Sequence, residues 1–327
     1  MISVKRRNFL GLMGGIAACP TIAAAQASPP VMGLLTSANA ENWSRDAIRQ
    51  GLKEAGFIEG QNITVIAREA NGQVDKLPAL AADLVARKVS VIFATGGPVP
   101  TRAAKAATGT IPIVFAYGGD PVADGLVASL SRPGGNVTGA TFIGASLSSK
   151  RMELLRELVP KATEVGLLVN PRNTLAAGQI DDMKQAVQAL GLHLHVVNAS
   201  TAAEVDMAFK TMRQDNVDVL VVSVDPIFGF LLADQIIALA TQNKLPTMWD
   251  ARVQVTKGGL ISYGAVITDT WRQAAIYVGR ILKGEKPQDL PVLQPTRFET
   301  VINAATAKAL GLTLSPQLQL MIDDTIE

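Results

Sequence analysis

The stretches PVMGLLTSANA (Pro30–Ala40) and TEVGLLVNPRN (Thr163–Asn173) share one pattern, an apolar run with Gly-Leu-Leu at its centre and then small polar residues. The segments downstream of the two stretches are alike as well. AIRQGLKEAG (Ala47–Gly56) and DDMKQAVQALG (Asp181–Gly191) carry helical spacing and end on a glycine stop. NITVIAREA and LHLHVVNAS come next, then a second helix and the valine-rich runs KVSVIFATGG (Lys88–Gly97) and NVDVLVVSVDP (Asn216–Pro226). A third helix leads to the proline-entered runs IPIVFAYGGDP (Ile111–Pro121) and LPTMWDA (Leu245–Ala251). The order is β-α-β-α-β-α-β, twice, at a period of about 130 residues, which means two similar lobes and not a solenoid. Strands alternating with helices predict parallel sheets, and uninterrupted apolar runs predict strands covered on both faces. The fold class is therefore α/β, with two doubly wound parallel-sheet lobes.

Composition agrees with two domains: 327 residues, 48% hydrophobic and 18% charged. The opening MISVKRRNFLGLMGGIAACPTIAAAQA joins a basic segment (Lys5, Arg6, Arg7) to a short apolar run and a small-residue end at Ala25-Gln26-Ala27. That is the layout of an export signal, with cleavage expected after Ala27. RRNFLG also resembles a twin-arginine motif. The single cysteine, Cys19, sits in a lipobox-like IAAC, but Pro20 comes directly after it, and cleavage after Ala27 is preferred to a lipid anchor. Taking the leader's three basic residues from 30 leaves 27 against 28 acidic ones, a net charge of −1 for the remainder. Such a balance does not call for nucleic acid, and no later apolar run is long enough to span a membrane. Without Cys19, disulfides and thiolate metal sites are excluded.

In open parallel sheets, ligands sit beyond the carboxyl ends of the strands. The positions to watch are Ser37, Thr95 to Gly97 and Tyr117 to Asp120 in the first half, and Asn170, Ser223 to Asp225 and Trp249-Asp250 in the second. ATGGPVPT lacks the spacing and the lysine of a phosphate loop, so Gly96 and Gly97 make either a carboxylate site or a tight turn. Asp120 and Asp225 each stand at a strand-to-helix turn and serve equally well as caps or as ligand contacts. Tyr117, Trp249 and Tyr263 fall at strand ends, where they would wall a cleft or simply pack. His193 and His195, two apart on one strand, read as a polar edge face rather than a metal pair. With no other histidine, a Ser-His-Asp or Cys-His nucleophile is hard to assemble. One carboxylate suffices for binding, whereas hydrolysis needs two in register, so the residues favour binding over catalysis. No cofactor is called for.

GLKEAGFIEGQNI, DPVADGLVASLSRPGGNVTG, KRMELLRELVP, GGLISYG and ILKGEKPQDLPVLQPTRFETVIN together resemble the substrate-binding proteins of ABC transporters, in particular the tryptophan and tyrosine binders. The resemblance covers essentially the whole chain. It implies a type I periplasmic-binding fold, three chain crossings acting as a hinge, a small-molecule ligand between the lobes, and docking of the closed form on a membrane permease in the periplasm. No stable oligomer is required. The pocket it implies draws on Ser37, Thr95, Gly96 and Asp120 from one lobe and on Asn170, Asp225 and Tyr263 from the other. Expected boundaries are 1–27 for the signal, 28–140 plus 263–290 for lobe one, and 141–262 plus 291–327 for lobe two. Within SRPGGNVTGAT (Ser131–Thr141), Pro133 is expected to stop a helix over DGLVASL, and Gly134-Gly135 to turn the chain out of it. Val137, Thr138, Gly139 and Thr141 are then expected to run extended as the approach to the first hinge crossing. An exported hydrolase on the same fold is the alternative function, disfavoured by the scarcity of histidine.

Overall fold

The computed structural model describes residues 28–38, 42–142 and 147–327. Cys19 and Ala27, with the whole leader, lie outside the described residues. The first sheet has the order β2-β1-β3-β4-β5, with β1 Val31–Thr36, β2 Thr64–Glu69, β3 Val91–Thr95, β4 Ile113–Tyr117 and β5 Val137–Thr141. All its pairings are parallel. The second sheet runs β12-β11-β10-β9-β8-β6-β7. Its parallel part holds β6 Glu164–Val169, β7 His193–Asn198, β8 Val219–Val222, β9 Thr247–Trp249 and β10 Ile261–Ala265. β11 (Phe298–Asn303) joins β10 antiparallel, and β12 (Asp324–Ile326) extends the edge in parallel with β11.

The uninterrupted apolar runs have the expected cause. In β4, Val114 and Ala116 face one core layer, while Ile113, Phe115 and Tyr117 face another. In β8, Val219 and Val221 face one layer and Leu220 and Val222 the other. Helices cover both faces, so neither half of the two-residue period is free to be polar. α1 (Asn42–Glu54) and α9 (Ile267–Leu282) pack together on the first sheet. Gly51 and Gly279 let them approach, since a Cβ at Gly51 would strike the Arg272 backbone of α9 and one at Gly279 would strike Ala55, just past the end of α1.

Three expectations about the connections are corrected. DGLVASL is not a helix: the chain makes a turn over residues 121–125, closed by hydrogen bonds from Asp124 N–H to the Asp120 carbonyl and from Leu126 N–H to the Pro121 carbonyl. Gly125, at φ 69°, ends it. Gly134 and Gly135, at φ 70° and 68°, therefore have no helix to leave; they turn the chain directly ahead of Val137. Second, Val137–Thr141 is not a connecting segment but the fifth strand of the first sheet, paired along its length with β4. Thr138 Oγ1 donates to the Leu290 carbonyl and Thr141 Oγ1 to the Gly119 carbonyl. Gly139 lies so close to β4 that an added Cβ would run into the Phe115 backbone. Passage to the second sheet therefore begins after Thr141, before α4 (Ser148–Leu158). Third, the other crossings are displaced by a few residues. Tyr263 belongs to β10 of the second sheet, and the chain leaves that sheet between Ala265 and Ile267. It returns between Leu293, which bridges to Ala140 of the first sheet, and Phe298. The second and third crossings are tied by Val266 N–H to the Arg297 carbonyl, 3.2 Å.

Candidate ligand-binding site

The carboxyl ends of both sheets face a common cavity of about 340 Å³. Ser37, Thr95, Gly96 and Gly97 line it from the first lobe, and Asn170 and Asp225 from the second. The two lobes meet around it. A Cβ added at Gly72 would lie 2.8 Å from Leu231 Cδ1, one at Gly119 3.0 Å from Leu175 Cδ2, and one at Gly97 3.7 Å from Pro226 Cγ. In each case the glycine belongs to the first lobe and the apolar side chain to the second.

On the first lobe the chain passes from β3 into α3 (Pro98–Ala107) through Gly96 and Gly97, at φ 86° and 103°. The Ser37 hydroxyl donates to the Gly96 carbonyl, and Thr95 Oγ1 to the Ala116 carbonyl at 2.9 Å. These hydroxyls hold the loop in place. Among the described residues no side chain caps α3, and Pro98 and Pro100 bring no N–H to its first turn. The turn's available donors are backbone amides at the positive end of a helix, an arrangement suited to a carboxylate.

On the second lobe, side chains are knitted together. Asp225 Oδ1 accepts from the Ile227 and Phe228 amides at 2.8 and 3.2 Å, and Oδ2 from Asn173 Nδ2 and Asn170 Nδ2 at 2.8 and 3.1 Å. Those bonds fill the four acceptor sites of a carboxylate. Burial pushes the Asp225 carboxyl above its ordinary range, against the pull of these hydrogen bonds. Asn170 Oδ1 accepts from Ser200 Oγ at 2.7 Å, and Gln179 exchanges two hydrogen bonds with the Val224 backbone. Asp225 thus organises the π-helical turn Ile227–Leu231 and the Asn170 loop.

Two of the expected pocket residues lie elsewhere. Asp120 is exposed and caps its own turn, Oδ1 accepting from the Val122 and Ala123 amides. Tyr263 stacks on Phe298 at 6.3 Å between ring centres, while its carbonyl accepts from Arg151 Nε. Tyr117 and Trp249 are core residues, each about 1% exposed. The Tyr117 hydroxyl donates to Asp124 Oδ2, and Trp249 Nε1 to Thr247 Oγ1. The aromatic walls of the cavity are instead Phe142, Phe230 and Trp271. Trp271 reaches the cleft from α9, where helical spacing alone gives no reason to separate it from the apolar face that packs on the sheet. Asp250 and Gln254 also line it, on either side of the start of α8 (Arg252–Thr256).

His193 and His195 lie on β7, at the edge of the second sheet and not in the cavity lining. Both bond Glu164 of the neighbouring strand, at 2.8 and 2.6 Å, and hold its carboxyl below the usual range. Among the described residues, no group of three or more His, Cys, Asp or Glu could hold a metal ion. No described helix is long and apolar enough to cross a membrane.

Two similar α/β lobes, three crossings and a cavity between strand ends define a type I periplasmic-binding-protein fold. The chain belongs to the ABC transporter substrate binding protein family, which it matches over residues 34–326. A tyrosine-binding protein of Clostridioides difficile is 29% identical over 279 residues, covering 83% of this chain and 79% of that protein. A conserved domain protein of Vibrio cholerae superposes with a TM-score of 0.83 at 27% identity, over 90% of this chain and 99% of that one. An ABC domain of Streptococcus pneumoniae in complex with L-Trp gives a TM-score of 0.81 at 23% identity, over 91% and 100%.

Proposed function

We propose that the protein is exported, is freed of its leader after Ala27 in the periplasm, and captures an amino acid with an apolar or aromatic side chain for delivery to an ABC permease. The observation that carries this reading is the cavity itself: it is shared between the lobes, walled by Phe142, Phe230, Ile267 and Trp271, and has uncapped backbone amides at one end. An apolar pocket with a few convergent polar groups is the usual form of a small-molecule site. The names of two relatives, one a tyrosine binder and one held with L-Trp, point to the same ligand class. The ligand carboxylate meets the Gly97–Val99 turn, its side chain fills the apolar wall, and contacts such as Leu231 against Gly72 hold the lobes shut around it. The chain acts by binding and release, without catalysis.

The test is calorimetric titration of residues 28–327 with L-tyrosine, L-tryptophan, the remaining amino acids and aromatic acids. Saturable binding of one class with 1:1 stoichiometry is the expected result. A ligand at a hundred times its Kd adds about 2.7 kcal/mol of stability, so a thermal-shift screen serves as the first pass. Absence of binding across the whole panel would overturn the reading.

A further inference from the structure

The cavity's polar groups are sorted by lobe. The uncapped α3 turn on the first lobe offers donors, while on the second lobe Asp225 has no acceptor site left. Two acceptors there are unspent. Gln254 is 1% exposed, and its Nε2 donates to the Gly229 carbonyl at 3.1 Å. Because a carbonyl can only accept, this bond fixes which end of the amide is which. Gln254 Oε1 is then a buried acceptor with no hydrogen-bond partner among the described residues, on a residue that lines the cavity. Asp250 is the second. The residue lines the same cavity, and among the described residues no side chain or backbone N–H of another residue donates to its carboxylate. Burial pushes its carboxyl up, partly offset by the charge of Arg151 behind it.

A buried acceptor left without a donor is costly, and a half-buried carboxylate beside it needs positive charge or strong donors. A ligand carboxylate cannot meet either group without repulsion. We infer that Asp250 and Gln254 read the protonated amino group of the ligand and set the preference for amino acids over the corresponding carboxylic acids. This assignment rests on the proposed function and adds a polarity to it: carboxylate toward Gly97 of the first lobe, ammonium toward α8 of the second. The cationic pole then falls not on Asp225, a strand-end aspartate whose acceptor sites are filled, but on a residue one strand further along the sheet.

The experiment compares L-tryptophan and L-tyrosine with 3-indolepropionate and 3-(4-hydroxyphenyl)propionate, which keep ring and carboxylate but lack the amine. Wild-type protein and the variants Asp250→Asn and Gln254→Met are titrated with each. The wild type is expected to prefer the amino acid by at least about a hundredfold, since a desolvated charged hydrogen-bond pair is being withheld. Each variant is expected to lose about ten- to a hundredfold for the amino acid and far less for the deaminated acid, so that the preference collapses. Should Gln254→Met not fold, Asp250→Asn, which keeps the side-chain shape, decides alone. Equal losses for amino acid and acid would overturn the assignment and leave the functional reading standing, as would a wild type that binds both probes alike. A wild type that binds none of the four probes would overturn both.

Discussion

Two turns face each other across the cleft and come from the same place in the repeat. In the first lobe β3 ends Thr95-Gly96-Gly97-Pro98; in the second β8 is followed by Ser223-Val224-Asp225-Pro226. Each enters a helical segment through a proline. The first leaves its helix start uncapped, with Gly97 at φ 103°. The second closes its helix start with the Asp225 carboxylate and anchors that carboxylate to Asn170 and Asn173. An uncapped start keeps amides available for a ligand; a capped one spends them on the fold. The same position in the repeat is therefore left open in one lobe, where the proposed ligand carboxylate would bind, and is given to architecture in the other.

The largest expected effect comes from the capped turn. Asp225→Ala strips partners from two amide side chains and two backbone N–H groups at a buried site. It is expected to cost about 2–3 kcal/mol of stability, read by urea denaturation. Asp120→Ala removes an exposed cap and is expected to cost less than about 1 kcal/mol, with ligand affinity unchanged. If Asp225→Ala kept wild-type stability and lost only binding, the contrast between an architectural and a recognising turn would be broken.

Next is Gly97→Ala. The conformation φ 103°, ψ −178° is one that only glycine adopts without strain, costing other residues about 1–3 kcal/mol. Part of that strain is expected to be relieved by moving the amides, so binding should suffer beyond stability. The sharpening measurement is the ratio of affinities for L-tryptophan and L-tryptophanamide. Wild type should favour the carboxylate, and Gly97→Ala should lower that ratio by about tenfold. An unchanged ratio would remove the carboxylate from this turn.

These two turns also mark what the sequence discloses. The repeat of order and spacing is visible because apolar runs buried on both faces and glycine stops are local signals. Six of the eight anticipated pocket residues line the cavity because strand ends are local signals too. What escaped depends on partners distant in the chain. Nothing in VDPIFG says that Asn170 and Asn173, more than fifty residues earlier, will saturate Asp225. Glu164 meets His193 and His195 only through the β6–β7 register. Tyr117 stands at a strand end, but the two-residue period puts it on the face shared with Phe115, in the core. Val137–Thr141 reads as a connector because Pro133, Gly134 and Gly135 precede it. Its pairing with β4 depends on Gly139 fitting against Phe115, a fact of packing rather than of pattern.

The smallest expected effect concerns how the two sides are held together. Leu231 projects from the segment that Asp225 caps and reaches Gly72 of the opposite lobe. It is half-buried, so Leu231→Ala should change the stability of the unliganded protein by less than about 1 kcal/mol. If the contact belongs to the closed state alone, its loss appears in binding, because closure is part of what the ligand must drive. The expected result is a three- to tenfold weaker affinity, or about 1 kcal/mol, equal for every ligand that binds. That uniformity separates it from Gly97→Ala, which should act on the carboxylate in particular. Radius of gyration by small-angle scattering supplies the second readout: with saturating ligand the variant should be as compact as wild type, and at intermediate ligand concentrations more expanded. A loss of stability matching the loss of affinity would place Leu231 in the second lobe's own core and take it out of the closing contact.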